Sequence, residues 1–124
     1  AGRLVTLEGA EHNAARARQN LESLGLLNVQ VIVGKFQDTL TGVLQEVAPV
    51  DMAFIDGHHL EEATKAYVDE IHGSLAPGAL LVLDDISWTK GMTRAWRHIR
   101  QDPRILVSGD LGRMGVCLVR SSSR

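Results

Sequence analysis

The sequence predicts an α/β fold: an open, mostly parallel sheet with helices on both faces and an antiparallel hairpin at the C-terminal end. Three observations predict it. Short aliphatic runs alternate with stretches of helical spacing. The runs are almost wholly apolar rather than alternating, as strands buried on both faces are. The last two runs flank a turn containing Gly112, with no helical stretch between them.

The elements follow in order. Arg3 to Leu7 is the first run, closed by Glu8-Gly9. A helix follows, with Ala14, Ala17, Leu21 and Leu24 on one face and Gly25 at the left-handed C-cap position. Val29 to Val33 ends at Gly34. Thr39 can cap a short helix through Val47, and Pro49 stops it. Asp51 to Ile55 ends at Asp56-Gly57. Ala63, Ala66, Tyr67, Glu70 and Ile71 mark a helix from Glu61 to about Leu75. Pro77-Gly78 turns the chain into Ala79 to Leu83, which ends at Asp84-Asp85. A helix from about Thr89 to Arg100 buries Met92, Ala95, Trp96 and Ile99. Arg104 to Ser108 and Met114 to Arg120 form the hairpin. Residues 1–120 read as one domain and residues 121–124 as a tail.

The size of 124 residues suits one domain, and 44% hydrophobic with 23% charged residues is ordinary for a globular chain. Thirteen Lys+Arg against fifteen Asp+Glu give a net charge of -2, so no basic footprint for nucleic acid is present. No apolar stretch approaches the length of a membrane span. The one cysteine, Cys117, lies in an apolar run and reads as a small buried hydrophobe. It leaves no internal disulfide, which makes a reducing cytoplasm the default compartment.

Polar residues gather at the strand exits. Glu8, Gly34-Lys35, Asp56 and Asp84-Asp85 each directly follow a run. In a parallel sheet those positions share the carboxyl edge, where such folds bind ligands. Glu8 can accept both hydroxyls of a ribose, with Gly9 letting the backbone pass close, or it is a solvated turn residue. Asp56, Asp84 and Asp85 repel one another if they converge, unless a cation joins them. A hard divalent ion such as Mg²⁺ would do so. Alternatively Asp84 caps the following turn and Asp85 faces water.

The stretch Val50-Asp51-Met52-Ala53-Phe54-Ile55-Asp56-Gly57-His58-His59, followed by Leu81-Val82-Leu83-Asp84-Asp85, resembles class I S-adenosylmethionine-dependent methyltransferases. The group resembled is bacterial, of small-molecule O-methyltransferase type with an Asp-Gly-x-His motif, and is similar to catechol and caffeoyl-CoA O-methyltransferases. The resemblance runs from Gly2 to Val119 and implies a Rossmann-like sheet. It gives Glu8 the ribose hydroxyls of S-adenosylmethionine, with Gly9 and Gly34 beside it. Lys35, Phe36 and Gln37 match the segment lining the adenine; Phe36 stacks on the base or is a core or lid aromatic. Asp56 falls near the methionine end, and Asp56, Asp84 and Asp85 match the ligands of Mg²⁺ or another divalent cation. His59 takes the place of the base that deprotonates the acceptor hydroxyl, with its neighbour His58 as rival. The remaining histidines, His12, His72 and His98, read as surface residues. Trp88 either walls the acceptor pocket or packs on the sheet edge. The implied partner is a small-molecule methyl acceptor.

The glycine-rich loop and first strand of that family, with its helix, have no counterpart here. The expectation is therefore a fragment with weak or no activity of its own, associated as a homo-oligomer, most simply a dimer. Other outcomes are direct pairing of the flanking strands or cover from another chain. Two other functions share features with this reading. A nicotinamide-dependent oxidoreductase would keep Glu8 and the sheet but has less use for Asp84-Asp85. A non-catalytic association module would use the exposed apolar surface.

Overall fold

The computed structural model describes residues 2–56 and 59–120. The expectations for Gly57, His58 and the 121–124 tail fall outside them. The chain divides into two compact units, Ala1–Glu46 and Val47–Arg124.

The first unit holds β1 (Leu4–Glu8), α1 (Glu11–Ser23), β2 (Val29–Val33) and nearly all of α2 (Phe36–Val47). β1 and β2 pair in parallel from Leu4↔Val29 to Glu8↔Val33. This register brings two strand exits side by side, and the Gly34 N–H donates to the Glu8 carbonyl at 3.1 Å. α1 ends as the sequence indicates. Gly25 has φ +69, its N–H donates to the Glu22 carbonyl, and the Leu26 N–H donates to that of Leu21. That pair of bonds satisfies carbonyls the last turn would otherwise leave open. α2 starts at Phe36, four residues earlier than a cap at Thr39 implied. Thr39 lies inside the helix and its hydroxyl donates back to the Lys35 carbonyl at 3.1 Å.

The second unit holds β3 (Val50–Ile55), α3 (Glu61–His72), β4 (Leu75–Leu83), α4 (Lys90–Arg100), β5 (Ile105–Asp110) and β6 (Gly115–Val119). Its sheet has the order β3-β4-β6-β5. β3 and β4 are parallel, while β6 is antiparallel to both its neighbours. The α/β class and the C-terminal hairpin are as the sequence predicts. Among the described residues the strands are hydrogen-bonded in two sheets, and no ladder joins β1 to β3.

Pro77-Gly78 does not end one element and begin another. It lies inside β4, where the register jumps from Val50↔Leu75 to Met52↔Leu80 and Gly78 takes φ +80. Proline has no N–H for a ladder, and the bulge removes the need for one. The core lies between this sheet and α3 and α4. Leu81, Leu83, Cys117 and Val119 meet Val68, Trp96 and Ile99, with Ala53 and Ile55 packed at the side. The alternate residues of β3, Met52 and Phe54, are exposed. α4 buries Met92, Ala95, Trp96 and Ile99, as its spacing predicts, and the Thr89 hydroxyl accepts the Met92 N–H at 3.1 Å. α3 is turned by one position from the expected stripe and buries Thr64, Val68, Ile71 and His72. His72 is thus a core residue, not a surface one. His12 and His98 are exposed, as expected.

Candidate functional site

Two strand edges carry the residues singled out from the sequence. In the first unit Glu8 ends β1 half-buried, and its Oε1 accepts the Ala10 N–H at 2.9 Å. That bond orients the carboxylate at the start of α1 and leaves lone pairs on both oxygens for a ligand. Gly9 approaches the Gly34 carbonyl closely, with 3.9 Å from the position a Cβ would take. Gly34 has φ +147, and a Cβ there would meet Thr39 Cγ2 at 2.8 Å, so both conformation and space require glycine. Lys35 and Gln37 are exposed and Phe36 is half-buried at the first turn of α2. Glu8, Gly9, Gly34, Lys35, Phe36 and Gln37 therefore share one end of a two-stranded parallel ladder.

In the second unit the β3–β4 register places Ile55 opposite Leu83, so Asp56 emerges beside Asp84. The Asp84 N–H donates to the Ile55 carbonyl at 3.0 Å. His59 lies between two acids: its Nε2 is 3.5 Å from Asp85 Oδ2 and 3.9 Å from Asp56 Oδ1. His59 and Asp85 are also the non-glycine residues with positive φ among the described residues, at 42° and 57°. Such backbone costs on the order of 1–3 kcal/mol per residue and concentrates at functional sites. Asp85 is held there from several directions. Its N–H donates to Asp84 Oδ1 at 2.8 Å, and its carbonyl accepts the Trp88 N–H at 3.1 Å.

Asp84 and Asp85 behave differently from either sequence alternative. Asp84 does accept a local N–H, as a capping residue would, but Asp85 is buried instead of facing water. Both meet Arg113, whose Nε is 3.3 Å from Asp84 Oδ1 and 3.0 Å from Asp85 Oδ1. The charge of Asp84, then that of Asp85, raises the pKa of the guanidinium further. Among the described residues the potential ligand atoms that converge within 4.8 Å belong to Asp56, His59 and Asp85. The three-carboxylate set Asp56, Asp84 and Asp85 does not converge in that way. A histidine nitrogen with two carboxylates suits a borderline divalent ion better than Mg²⁺, which prefers oxygen.

Arg113 is the residue the sequence reading missed. The structure supplies what the sequence does not: β6 is antiparallel to β4, so the turn leading into β6 lies at the carboxyl end of β4. Trp88 is 70% exposed and does not pack on the sheet edge. Its ring centroid is 6.3 Å from that of His59 at a tilt of 31°. Beyond it a cleft of about 570 Å³ runs past Thr89, Lys90 and Arg94 at the start of α4. Cys117 has no exposure, and burial pushes its thiol up to about 11, so it is a core residue and not a nucleophile.

Parallel strand pairs with acids and glycines at their exits, followed by an antiparallel hairpin, are the features that carry the methyltransferase resemblance. Residues 1–86 match the family described as a methyltransferase domain, and the chain belongs to that family. It is 37% identical over 90 residues to a catechol O-methyltransferase of Niastella koreensis, covering 68% of this chain and 38% of the relative. It is 36% identical over 86 residues to one from Mycobacterium tuberculosis, covering 68% and 37%. The chain thus spans about four tenths of the length of these relatives. Among solved structures, the O-methyltransferase from Bacillus cereus in complex with SAH aligns with TM-score 0.78 and 26% identity. That alignment covers 96% of this chain and 63% of the other. A methyltransferase from Geobacter sulfurreducens shares the fold, with TM-score 0.73 and 21% identity over 96% of this chain and 58% of the other. Family membership favours the methyltransferase reading over the nicotinamide-dependent one. Among the described residues no helix is long and apolar enough to cross a membrane.

Proposed function

We propose that this chain serves S-adenosylmethionine-dependent O-methyl transfer to a hydroxyl of a small molecule, with His59 as the base that receives the hydroxyl proton. The observation that carries this is the placement of His59 Nε2 between the carboxylates of Asp85 and Asp56, beside the exposed ring of Trp88. Two carboxylate oxygens within 4 Å of Nε2 orient the ring with its N–H toward them. The nitrogen left to take the hydroxyl proton is therefore Nδ1. Methyl transfer needs little more from a protein than alignment of acceptor and sulfonium and removal of one proton.

The cofactor belongs at the exits of β1 and β2. Glu8 takes the ribose hydroxyls, oriented by the Ala10 N–H it already accepts, with Gly9 and Gly34 keeping the backbone low beneath the ligand. Lys35, Phe36 and Gln37 line the adenine. The SAH in the Bacillus cereus neighbour and the catechol O-methyltransferase relatives support this cofactor and acceptor class. The convergence of Asp56, His59 and Asp85 favours a second, metal-assisted form of the same reaction. A divalent ion there would lower the pKa of the acceptor hydroxyl, with Asp84 joining as a ligand only on leaving Arg113. A cytoplasmic setting without nucleic-acid partners is what we infer, from the lone cysteine and the net charge of -2.

The test is methyl transfer from S-adenosylmethionine to catechol-type acceptors by the purified protein. Replacing His59 by Gln should lower kcat by about 10²- to 10⁴-fold with the acceptor KM little changed. Wild-type turnover by the His59→Gln variant would sink the assignment. EDTA separates the two forms, since full activity in its presence eliminates the metal-assisted one.

A further inference from the structure

Carboxylates meeting at one sheet edge pose an electrostatic problem, and the second unit carries a cation that meets it. The side chains of Asp84 and Asp85 are 12% and 10% exposed, so water alone does not screen their mutual repulsion. Arg113 Nε lies 3.3 Å from one and 3.0 Å from the other. The guanidinium is itself 75% exposed, and a mobile surface arginine in that position would count for little.

Its backbone, however, is tied down. The Ile86 N–H donates to the Arg113 carbonyl at 3.0 Å, and the Ser87 hydroxyl donates to the Gly112 carbonyl at 3.0 Å. Across the turn the Leu111 N–H donates to the Met114 carbonyl at 2.8 Å. Antiparallel pairing of β6 with β4 sets the turn at this edge, with Leu83 opposite Gly115. These bonds stitch the hairpin turn to the segment that follows Asp85, with Arg113 at the seam.

We propose that Arg113 is the resident counter-cation of the Asp84–Asp85 pair, standing in for a divalent ion, and the residue that positions Asp85 against His59. A guanidinium and a metal ion would compete for the same carboxylate lone pairs. With Arg113 in place, Asp84 does not belong to the convergent ligand set, and Asp85 keeps one oxygen on Arg113 and the other toward His59. The reaction then runs without metal, and the positive φ of Asp85 is maintained by the hairpin turn. The inference rests on the methyltransferase reading of His59, but its first readout does not require methyl transfer.

Mn²⁺ serves as the probe, titrated into the purified protein and followed by electron paramagnetic resonance, for wild type, R113Q and R113K. Wild type and R113K should bind no stoichiometric Mn²⁺. R113Q should gain a single site, with affinity at least about tenfold tighter than any residual wild-type binding. In turnover assays wild type should be indifferent to EDTA, while R113Q should lose about tenfold in kcat and recover it with Mn²⁺. Stoichiometric Mn²⁺ binding by wild type overturns the proposal, and this arm stands even if R113Q fails to fold. A folded R113Q that neither gains Mn²⁺ nor loses rate overturns it too. If no variant transfers methyl groups, the functional reading fails, while the Mn²⁺ arm still decides the role of Arg113.

Discussion

His72 stands at the end of α3 with 8% of its surface exposed, and neither ring nitrogen has a hydrogen-bond partner among the described residues. Burial, and next the charge of Arg104, lower its pKa, against smaller opposing effects of Asp102 and Asp69. The unfolded chain therefore binds a proton near pH 6.5 while the folded protein does not until the pH is lower. Stability from this residue is complete above pH 6.5 and is lost as pH falls through the depressed folded value. Asp102 acts in a separate window: its bonds to Arg104 hold it at about 2, so its contribution fades only in strong acid. The melting temperature should thus fall between pH 7.5 and 5.5, and His72→Leu should flatten that fall. An unchanged slope in the variant would show that some other group sets it. The sequence could not show this burial. The stripe through Ala63 and Tyr67 fits helical spacing as well as the true one through Thr64, Val68 and His72, and one position of rotation moves His72 from water into the core.

At the scale of elements, the legible features were those fixed by local chemistry. Helical spacing located α4, Gly25 closes α1, and apolar runs of five or six residues became β1, β2 and β3. Glu8, Asp56 and Asp84-Asp85 fall at strand exits because the apolar run that makes each strand ends there, which a single sequence shows well, although Asp85 is itself buried. Part of what escaped depended on pairing between distant elements, while the early start of α2 and the rotation of α3 are local features that helical spacing leaves open. The Pro77-Gly78 signal is the same for a turn and for a bulge, and only the partner β3 decides between them. Arg113 is another case, unremarkable in sequence and placed at the acids by antiparallel pairing of β6. The same strand carries the tightest contact between layers. A Cβ on Gly115 would lie 2.6 Å from Cη2 and Cζ3 of Trp96, an indole 5% exposed and stacked beneath Arg100 at 5.2 Å. The indole is buried, so Gly115→Ala requires the ring, or α4 with it, to shift. We expect a loss of about 1–3 kcal/mol in chemical denaturation. A neutral result would mean that the sheet and α4 yield more easily than their packing implies.

For the molecule as a whole, the proposed function rests cofactor binding on Glu8 of the first unit and proton removal on His59 of the second. That division can be tested because a ligand that binds only the folded state raises its stability by mass action. The gain is about 2.7 kcal/mol at a hundredfold excess over Kd. S-adenosylhomocysteine should therefore raise the melting temperature of the protein, and NAD at the same concentration should not. Glu8→Ala removes an acceptor that would hold two ribose hydroxyls. Charge-assisted bonds of this kind contribute about 1.5–3 kcal/mol, so the shift should shrink as Kd weakens by one to two orders of magnitude. His59→Gln should behave in the opposite way, keeping the full shift with S-adenosylhomocysteine while losing turnover. The two variants therefore form a crossed pair, and each controls for simple unfolding in the other. If His59→Gln abolished the shift, the histidine would belong to cofactor binding rather than to proton removal. If Glu8→Ala left the shift intact, the ribose would have to be held elsewhere than at the end of β1.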